Sequence, residues 1–159
     1  MFCSVLIRKR QSLRRKDARN LLDELSVKFG EVTAQKVDMA EYEEKKIIFL
    51  DDHIAFVRDE NGVYPYLGSP YTDRLPKVVV DMGAIRFVCN GADVMAPGIA
   101  EMDEFDEGSV VVIRDVNHGK ALAVGLATKS SAEIETSKKG KVIKNLHYVG
   151  DKLWEAASA

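Results

Sequence analysis

What this 159-residue chain has little of sets the first limits on it. Its two cysteines, Cys3 and Cys89, lie far apart with no companion ligands at metal spacing, which argues against a disulfide framework and against a zinc site. Both read as small buried hydrophobes. Its three histidines, His53, His118 and His147, are scattered, and there is no Gly-x-Ser-x-Gly elbow, phosphate loop or His-Glu-x-x-His pattern. No catalytic residue, metal or cofactor is therefore expected. Nowhere does the chain offer the roughly 18 consecutive apolar residues of a membrane-spanning helix, so no membrane partner is expected either. The start, Met1 to Arg10, puts a very short apolar run before its basic residues. That is the wrong order and length for a secretory signal, and the expectation is a cytoplasmic protein.

What is present is 46% apolar side chain, enough for one ordinary domain or two small ones. The formal net charge of −2 speaks against nucleic-acid binding only if charge is spread evenly, and it is not. Arg8, Lys9, Arg10, Arg14, Arg15, Lys16 and Arg19 crowd one segment, while acids gather at Glu41, Glu43 and Glu44 and again from Glu101 to Glu107. Screening over about 8 Å makes a phosphate backbone answer to the local patch more than to the total. The acids at 101 to 107 form a turn segment that lacks the ligand order and central glycine of a calcium loop, so they read as solvated.

The period of Ala18, Leu21, Leu22, Leu25 and Phe29 marks a core-facing stripe on a helix from about Ser12 to Gly30. Arg14, Arg15 and Lys16 then oppose the helix dipole at its positive end, at about a few tenths of a kcal/mol each. Two readings stand for them: a solvated face made tolerable by screening, or a patch that contacts phosphate. Strand patterns fall at residues 3 to 9, Glu31 to Val37, Lys45 to Leu50 and Ile54 to Arg58, the last ended by Asn61-Gly62. The turn-rich run Gly68 to Pro76 marks a boundary near 76. Beyond it, Ser109 to Arg114 and Lys120 to Ala127 read as strands paired across Asn117-His-Gly119. Ser130 opens a short capped helix that ends near Gly140, and Val142 to Val149 makes a final strand. The class is α+β: a small mixed α/β unit, then a compact β-barrel-like one.

Asp81-Met-Gly-Ala-Ile-Arg-Phe-Val-Cys-Asn-Gly-Ala-Asp-Val-Met-Ala-Pro-Gly-Ile99 reads as a short amphipathic helix running into a glycine-rich, proline-stopped loop. Helical spacing puts Met82, Ile85, Val88 and Cys89 on an apolar face and Gly83, Arg86, Phe87 and Asn90 on another. Asp81 caps the start and Gly91 is expected at positive φ. The second face combines a residue without side chain, a guanidinium, an aromatic ring and an amide. Those suit close approach, phosphate contact, base stacking and base-edge reading. An Asn-Gly helix end is also common punctuation, so a structural reading stays open. In the last strand, Lys141, Lys144, Asn145, His147 and Tyr148 alternate imperfectly with Val142, Ile143, Leu146 and Val149, which predicts a twist or bulge. His147 reads as a packed side chain or as a ligand. Trp154 suits a plug in the barrel better than a stacking platform.

The segments Lys77 to Ile85, Asn90 to Ile99, Ala121 to Gly125 and Lys144 to Trp154 together resemble a PUA domain, the RNA-binding module named after pseudouridine synthases and archaeosine transglycosylases. The Gly-Ala-Asp-Val-Met-x-Pro-Gly core and the closing Asn-Leu-His-Tyr-x-x-Asp-x-Leu-Trp resemble the malignant-T-cell-amplified-sequence and ligatin group of translation factors, in an archaeal form. The likeness covers residues 77 to 154. It continues more faintly through Val63 to Leu67 and the helix before Gly30, where members carry a pre-PUA domain. It implies a pre-PUA domain over residues 1–76 and a PUA pseudo-β-barrel over residues 77–159. It also implies a groove in which Ala92, Lys144, Asn145 and His147 join Gly83, Arg86, Phe87, Asn90 and Gly91; Arg14 and Arg15, from their charge clustering alone, stand as a second expected phosphate patch.

The function so implied is non-enzymatic: binding of structured RNA, tRNA or rRNA, at the tRNA acceptor end, on the small ribosomal subunit, or both. Ligatin-type relatives continue into further domains, which implies a separate translation-factor chain as partner. Two other classes fit the residues. One is an RNA-binding accessory subunit of an RNA-modification complex. The other is a protein-interaction module on a PUA fold, to which the acidic net charge lends weight.

Overall fold

The computed structural model describes residues 6–158; Cys3 and the first part of the expected opening strand lie outside the described residues. The chain divides into two compact units, one holding Met1–Arg74 with Glu155–Ala159 and the other Leu75–Trp154.

In the first unit, β1 (Arg8–Ser12), β2 (Val37–Tyr42), β3 (Lys45–Leu50), β4 (His53–Asp59) and β5 (Gly62–Pro65) form one antiparallel sheet in chain order. A single helix, α1 (Arg15–Phe29), connects β1 to β2. Leu21, Leu25 and Phe29 of its expected stripe are buried, and the Phe29 ring lies 5.1 Å from that of Phe56. The helix starts three residues later than the periodicity indicates, because Ser12 ends β1 and donates its hydroxyl to Asp38. The strand expected at 31–37 begins only at Val37. Before it, the Val32 amide goes to Ser26 Oγ and the amides of Gln35 and Lys36 to Asp51 Oδ1, so these groups serve a loop and not a ladder. Asp51 and Asp52, at φ 49° and 72°, make the two-residue hairpin turn from β3 to β4.

The second unit is a six-stranded sheet in the order β7-β11-β10-β9-β6-β8, with β6 and β9 parallel and every other pair antiparallel. Its strands are β6 (Lys77–Val80), β7 (Val94–Met95), β8 (Ile99–Met102), β9 (Val110–Asp115), β10 (Ala121–Ala127) and β11 (Lys141–Tyr148). The chain passes from one edge strand, β7, through the 3-10 turn Ala96–Gly98 into the other, β8. The sheet therefore curls into a nearly closed barrel. Val78, Val80, Val111, Ile113, Ala123, Val142 and Ile143 fill the inside. Gly125 is required there: a Cβ on it would lie 2.5 Å from Ile143 Cγ2 and 3.0 Å from the Lys144 carbonyl.

Helices α2 (Met82–Val88) and α3 (Ser131–Ser137) belong to this unit, and α4 (Lys152–Ser158) begins in it and crosses the division at Trp154. Helix α3 opens on a capping box, with Ser130 and Glu133 reciprocating, and stops at Ser137 because Lys138 turns left-handed at φ 52°. Two expectations are corrected. Glu101 and Met102 belong to β8 and not to a turn. Leu153, at 3% exposure, is the buried side chain of α4, whereas Trp154 is only half-buried.

Candidate nucleic-acid interface

The expected site centres on α2 and its exit. Asp81 accepts the Ala84 amide at 3.0 Å and caps the helix start. At the other end, the Gly91 amide donates to Val88 O at 3.0 Å and the Ala92 amide to Phe87 O at 2.9 Å. That pair of bonds ends a helix on a left-handed residue, and Gly91 has φ 92°. Its missing side chain serves a second end, since a Cβ there would lie 2.9 Å from Tyr148 Cε1.

The loop after α2 is then tied to β11. Asn145 donates its amide N–H to Asp93 Oδ1 at 2.9 Å, and its carboxamide donates to Val88 O and Ala92 O, each at 3.1 Å. Next to it the β10–β11 register slips between Val124–His147 and Gly125–Asn145, leaving Leu146 as an extra residue. This is the irregularity that the imperfect alternation foretells.

Between α2, the loop and the start of β11 lies a groove of about 450 Å³. Ala84, Gly91, Ala92 and Gly98 supply small floor residues, and Phe87, Met95 and Lys141 supply its larger walls. Phe87 is 55% exposed and Met95 45%. The Arg86 guanidinium lies 5.4 Å from the Phe87 ring centre.

The expected site residues thus fall into three groups. Phe87, Gly91 and Ala92 line the groove. Gly83 and Arg86 on α2, Asn90 in the turn after it and Lys144 on β11 are exposed but line no part of it. Asn145 and His147 act inside the fold. His147 is 1% exposed, with Nδ1 2.8 Å from Asp151 Oδ2, and it is corrected from groove ligand to buried side chain. The bulge at Leu146 reverses the alternation that would have turned it outward. Asp151 also accepts the amides of Tyr148 and Trp154. Burial pushes its carboxyl upward, but the hydrogen bonds from His147 and these amides hold it below the ordinary aspartate value.

Met82, expected on the apolar face, is 69% exposed, because α2 enters the core through Val88 with Ala84, Ile85 and Cys89 packed beside it. Met95 and Lys141 are groove residues that reading α2 alone misses. They are Cα partners across β7 and β11, and the burial alternation of Val94 inward and Met95 outward is their signal.

In the first unit, Arg14 stands at the N-cap of α1 without a side-chain cap and Arg15 follows in the first turn, both exposed. Neither has a carboxylate partner among the described residues, in contrast to Lys9, paired with Glu41, and Arg10, held by Asp38 and Asp52. Arg15, Arg19 and Lys36 line a shallow depression between α1 and the loop before β2. Among the described residues, no group of three or more His, Cys, Asp or Glu is placed to hold a metal ion, and no helix is long and apolar enough to cross a membrane.

Comparison with known proteins agrees with this architecture. Residues 76–149 match the PUA domain family, and residues 9–68 match a domain of unknown function, DUF1947. An uncharacterized protein of Methanocaldococcus jannaschii is 45% identical over 93% of this chain and 96% of its own. Translation machinery-associated protein 20 of Saccharomyces cerevisiae is 30% identical over 85% of this chain and 77% of its own. The crystal structure of a hypothetical protein from Pyrococcus horikoshii superposes with a TM-score of 0.81 at 32% identity, covering 94% of this chain and 99% of that one. With malignant T-cell-amplified sequence proteins also among its relatives, the chain belongs to the PUA-domain family of translation machinery-associated protein 20 and malignant T-cell-amplified sequence.

Proposed function

We propose that this protein is a non-enzymatic RNA-binding factor of translation, in which the groove beside α2 receives an unpaired 3′ end such as the tRNA acceptor terminus. The patch at Arg14 and Arg15 adds phosphate contacts to the same RNA or to the small ribosomal subunit. The observation that carries this reading is Phe87. Left half in water, it forgoes about 1 kcal/mol of burial, and its only ring contact among the described residues is the neighbouring Arg86. A flat aromatic face beside a guanidinium at the mouth of an apolar groove suits a nucleobase and its phosphate. Gly83 adds to it. A glycine within a helix costs roughly 0.5–1 kcal/mol against alanine, yet a Cβ there would meet nothing nearer than Asp81 Oδ1 at 3.5 Å. The fold itself does not ask for glycine at that place, whereas a closely approaching ligand does.

The test is titration of intact tRNA, tRNA lacking its terminal CCA, and small ribosomal subunits at several salt concentrations. Arg86→Ala removes a charge-assisted contact worth about 1.5–3 kcal/mol and weakens binding by roughly ten- to a hundredfold. Phe87→Ala erases the preference for the intact 3′ end. Reversing Arg14 and Arg15 to Glu flattens the salt dependence and leaves that preference in place, since phosphate contacts position and base contacts specify. Binding unaffected by salt, or absent for all three RNAs, refutes the proposal and favours the protein-interaction reading.

A further inference from the structure

The second unit carries another groove that the RNA reading does not use. Strand β8 is an edge of the sheet, paired with β6 on one side only. Along its other side runs a depression of about 530 Å³, with β8 and the following Asp103 and Glu104 as one wall and α3 as the other. Its floor is apolar: Ala96, Ile134, Ile99 and Met102, of which Ala96 and Ile134 are buried.

The two walls are tied together before anything binds. The Ser131 amide donates to Phe105 O at 3.0 Å, the Phe105 amide donates to Ser131 Oγ at 3.0 Å, and that hydroxyl donates back to Phe105 O at 3.2 Å. The backbone of β8 is also polarised across the strand. Asp103 gives its amide to Lys77 O, and Met102 pairs with Val78, so the alternation of an antiparallel ladder turns the Met102 amide and carbonyl away from β6 and toward the groove.

The charge is one-sided. Glu101, Asp103, Glu104 and Glu135 stand around the depression against the single ammonium of Lys138. Such a rim repels a phosphate backbone and favours a cationic ligand.

We infer that the groove between β8 and α3 takes an extended, basic peptide segment of a protein partner, which adds to β8 as a further strand. An edge strand faced by a helix across an apolar floor is the geometry of strand addition: backbone hydrogen bonds give affinity, and alternate side chains enter the floor. An added strand would lie about 4.8 Å from β8. Alternate lysines or arginines of the peptide then meet Glu101 and Glu135, one on each wall. This inference is independent of the RNA reading and uses none of its residues.

The test uses the whole chain and three fluorescein-labelled heptapeptides: one alternating lysine and valine, one alternating glutamate and valine, and the lysine–valine peptide methylated at alternate backbone nitrogens. The first binds, with amide shifts in the labelled protein confined to Ile99–Glu104 and Ser131–Lys138. The second does not bind, and methylation weakens the first by about tenfold or more, since it removes the ladder donors. The exposed pair Glu101→Lys with Glu135→Lys lowers affinity by about tenfold or more while the thermal melt stays in place. Arg86→Ala leaves peptide binding unchanged. Absence of binding by the lysine–valine peptide, shifts elsewhere, equal binding of the methylated peptide, or indifference to the double reversal overturns the inference. The acids would then serve only to keep the β8 edge from pairing with other chains.

Discussion

Asn145→Ala separates the groove role expected of Asn145 from the role its carboxamide has in the fold. As a base-reading amide, Asn145 would face solvent; in the fold its carboxamide is spent on Val88 O and Ala92 O, at 3.1 Å each. The loss follows from what becomes of those carbonyls. Val88 O keeps the Gly91 amide, and Ala92 is exposed, so its carbonyl regains water. Neither is left orphaned, which holds the cost to two ordinary hydrogen bonds, about 1–2 kcal/mol. For a chain of this length that lowers the melting temperature by roughly 2–8 °C. Asn145→Asp is worse than alanine. The Asn145 Oδ1 is buried and meets no donor among the described residues, so a carboxylate there is charged beside two carbonyls with nothing to pair it. Thermal melts of the three proteins, with RNA titration of each, decide the matter. A parental melt with lost affinity, or an aspartate variant as stable as the alanine one, refutes the clamp and restores Asn145 as a direct reader.

Gly91→Val forces a β-branched residue to φ 92° and drives a Cβ to 2.9 Å from Tyr148, so it destabilises by about 2 kcal/mol or more in denaturant unfolding, together with lost RNA binding. Gly125→Ala has no positive φ to blame. Its loss of about 1–3 kcal/mol comes from crowding at Ile143 Cγ2 and is relieved in part by a second substitution, Ile143→Ala, which removes that atom and which a double-mutant cycle reads as favourable coupling. The depressed Asp151 carboxyl contributes stability that is complete above the unfolded aspartate value near ~3.9 and disappears as pH falls through the lower folded value. Melts of the parent and Asp151→Asn, apart at pH 6, therefore converge as pH falls below the ordinary aspartate value. A gap that stays constant on acidification contradicts the assigned hydrogen bonds.

How far the sequence could be read depended on whether a signal was local. The capped helix at Ser130, the left-handed turn at Gly91, the stripe on α1 and the paired strands β9 and β10 rest on spacing within a few residues, and these are where the chain puts them. The start of β2 and the exposure of Met82 depend on remote partners: Asp51 holding the amides at 35 and 36, and Val88 setting the rotation of α2. No period within either segment records those partners. His147 is the instructive case. Its place in the closing motif suggested a groove ligand, and the irregular alternation was noticed, but only the register slip at Leu146 tells which face each side chain takes. One inserted residue exchanges inside and outside for everything beyond it. A bulge can thus be foreseen while its consequence for a given residue cannot.

The same distinction explains why the net charge of −2 is a poor guide to what this chain engages. Within the second unit, the Val-Met-Ala-Pro-Gly segment divides its residues between two grooves: Met95 and Gly98 line the one with Phe87 and Lys141, while Ala96 and Pro97 line the one with Glu101 and Glu135. The groove proposed for RNA, lined by Lys141 and Asp93, and the groove proposed for a basic peptide are therefore backed by one short turn. Opposite charges so arranged cancel in the sum but not at either surface, because salt screens a surface charge over roughly 8 Å. Raising ionic strength should weaken phosphate and basic-peptide ligands alike, each through its own residues. Neutralising Glu101 and Glu135 should leave the RNA salt slope unchanged, even though it moves the net charge of the protein toward the RNA-binding sign.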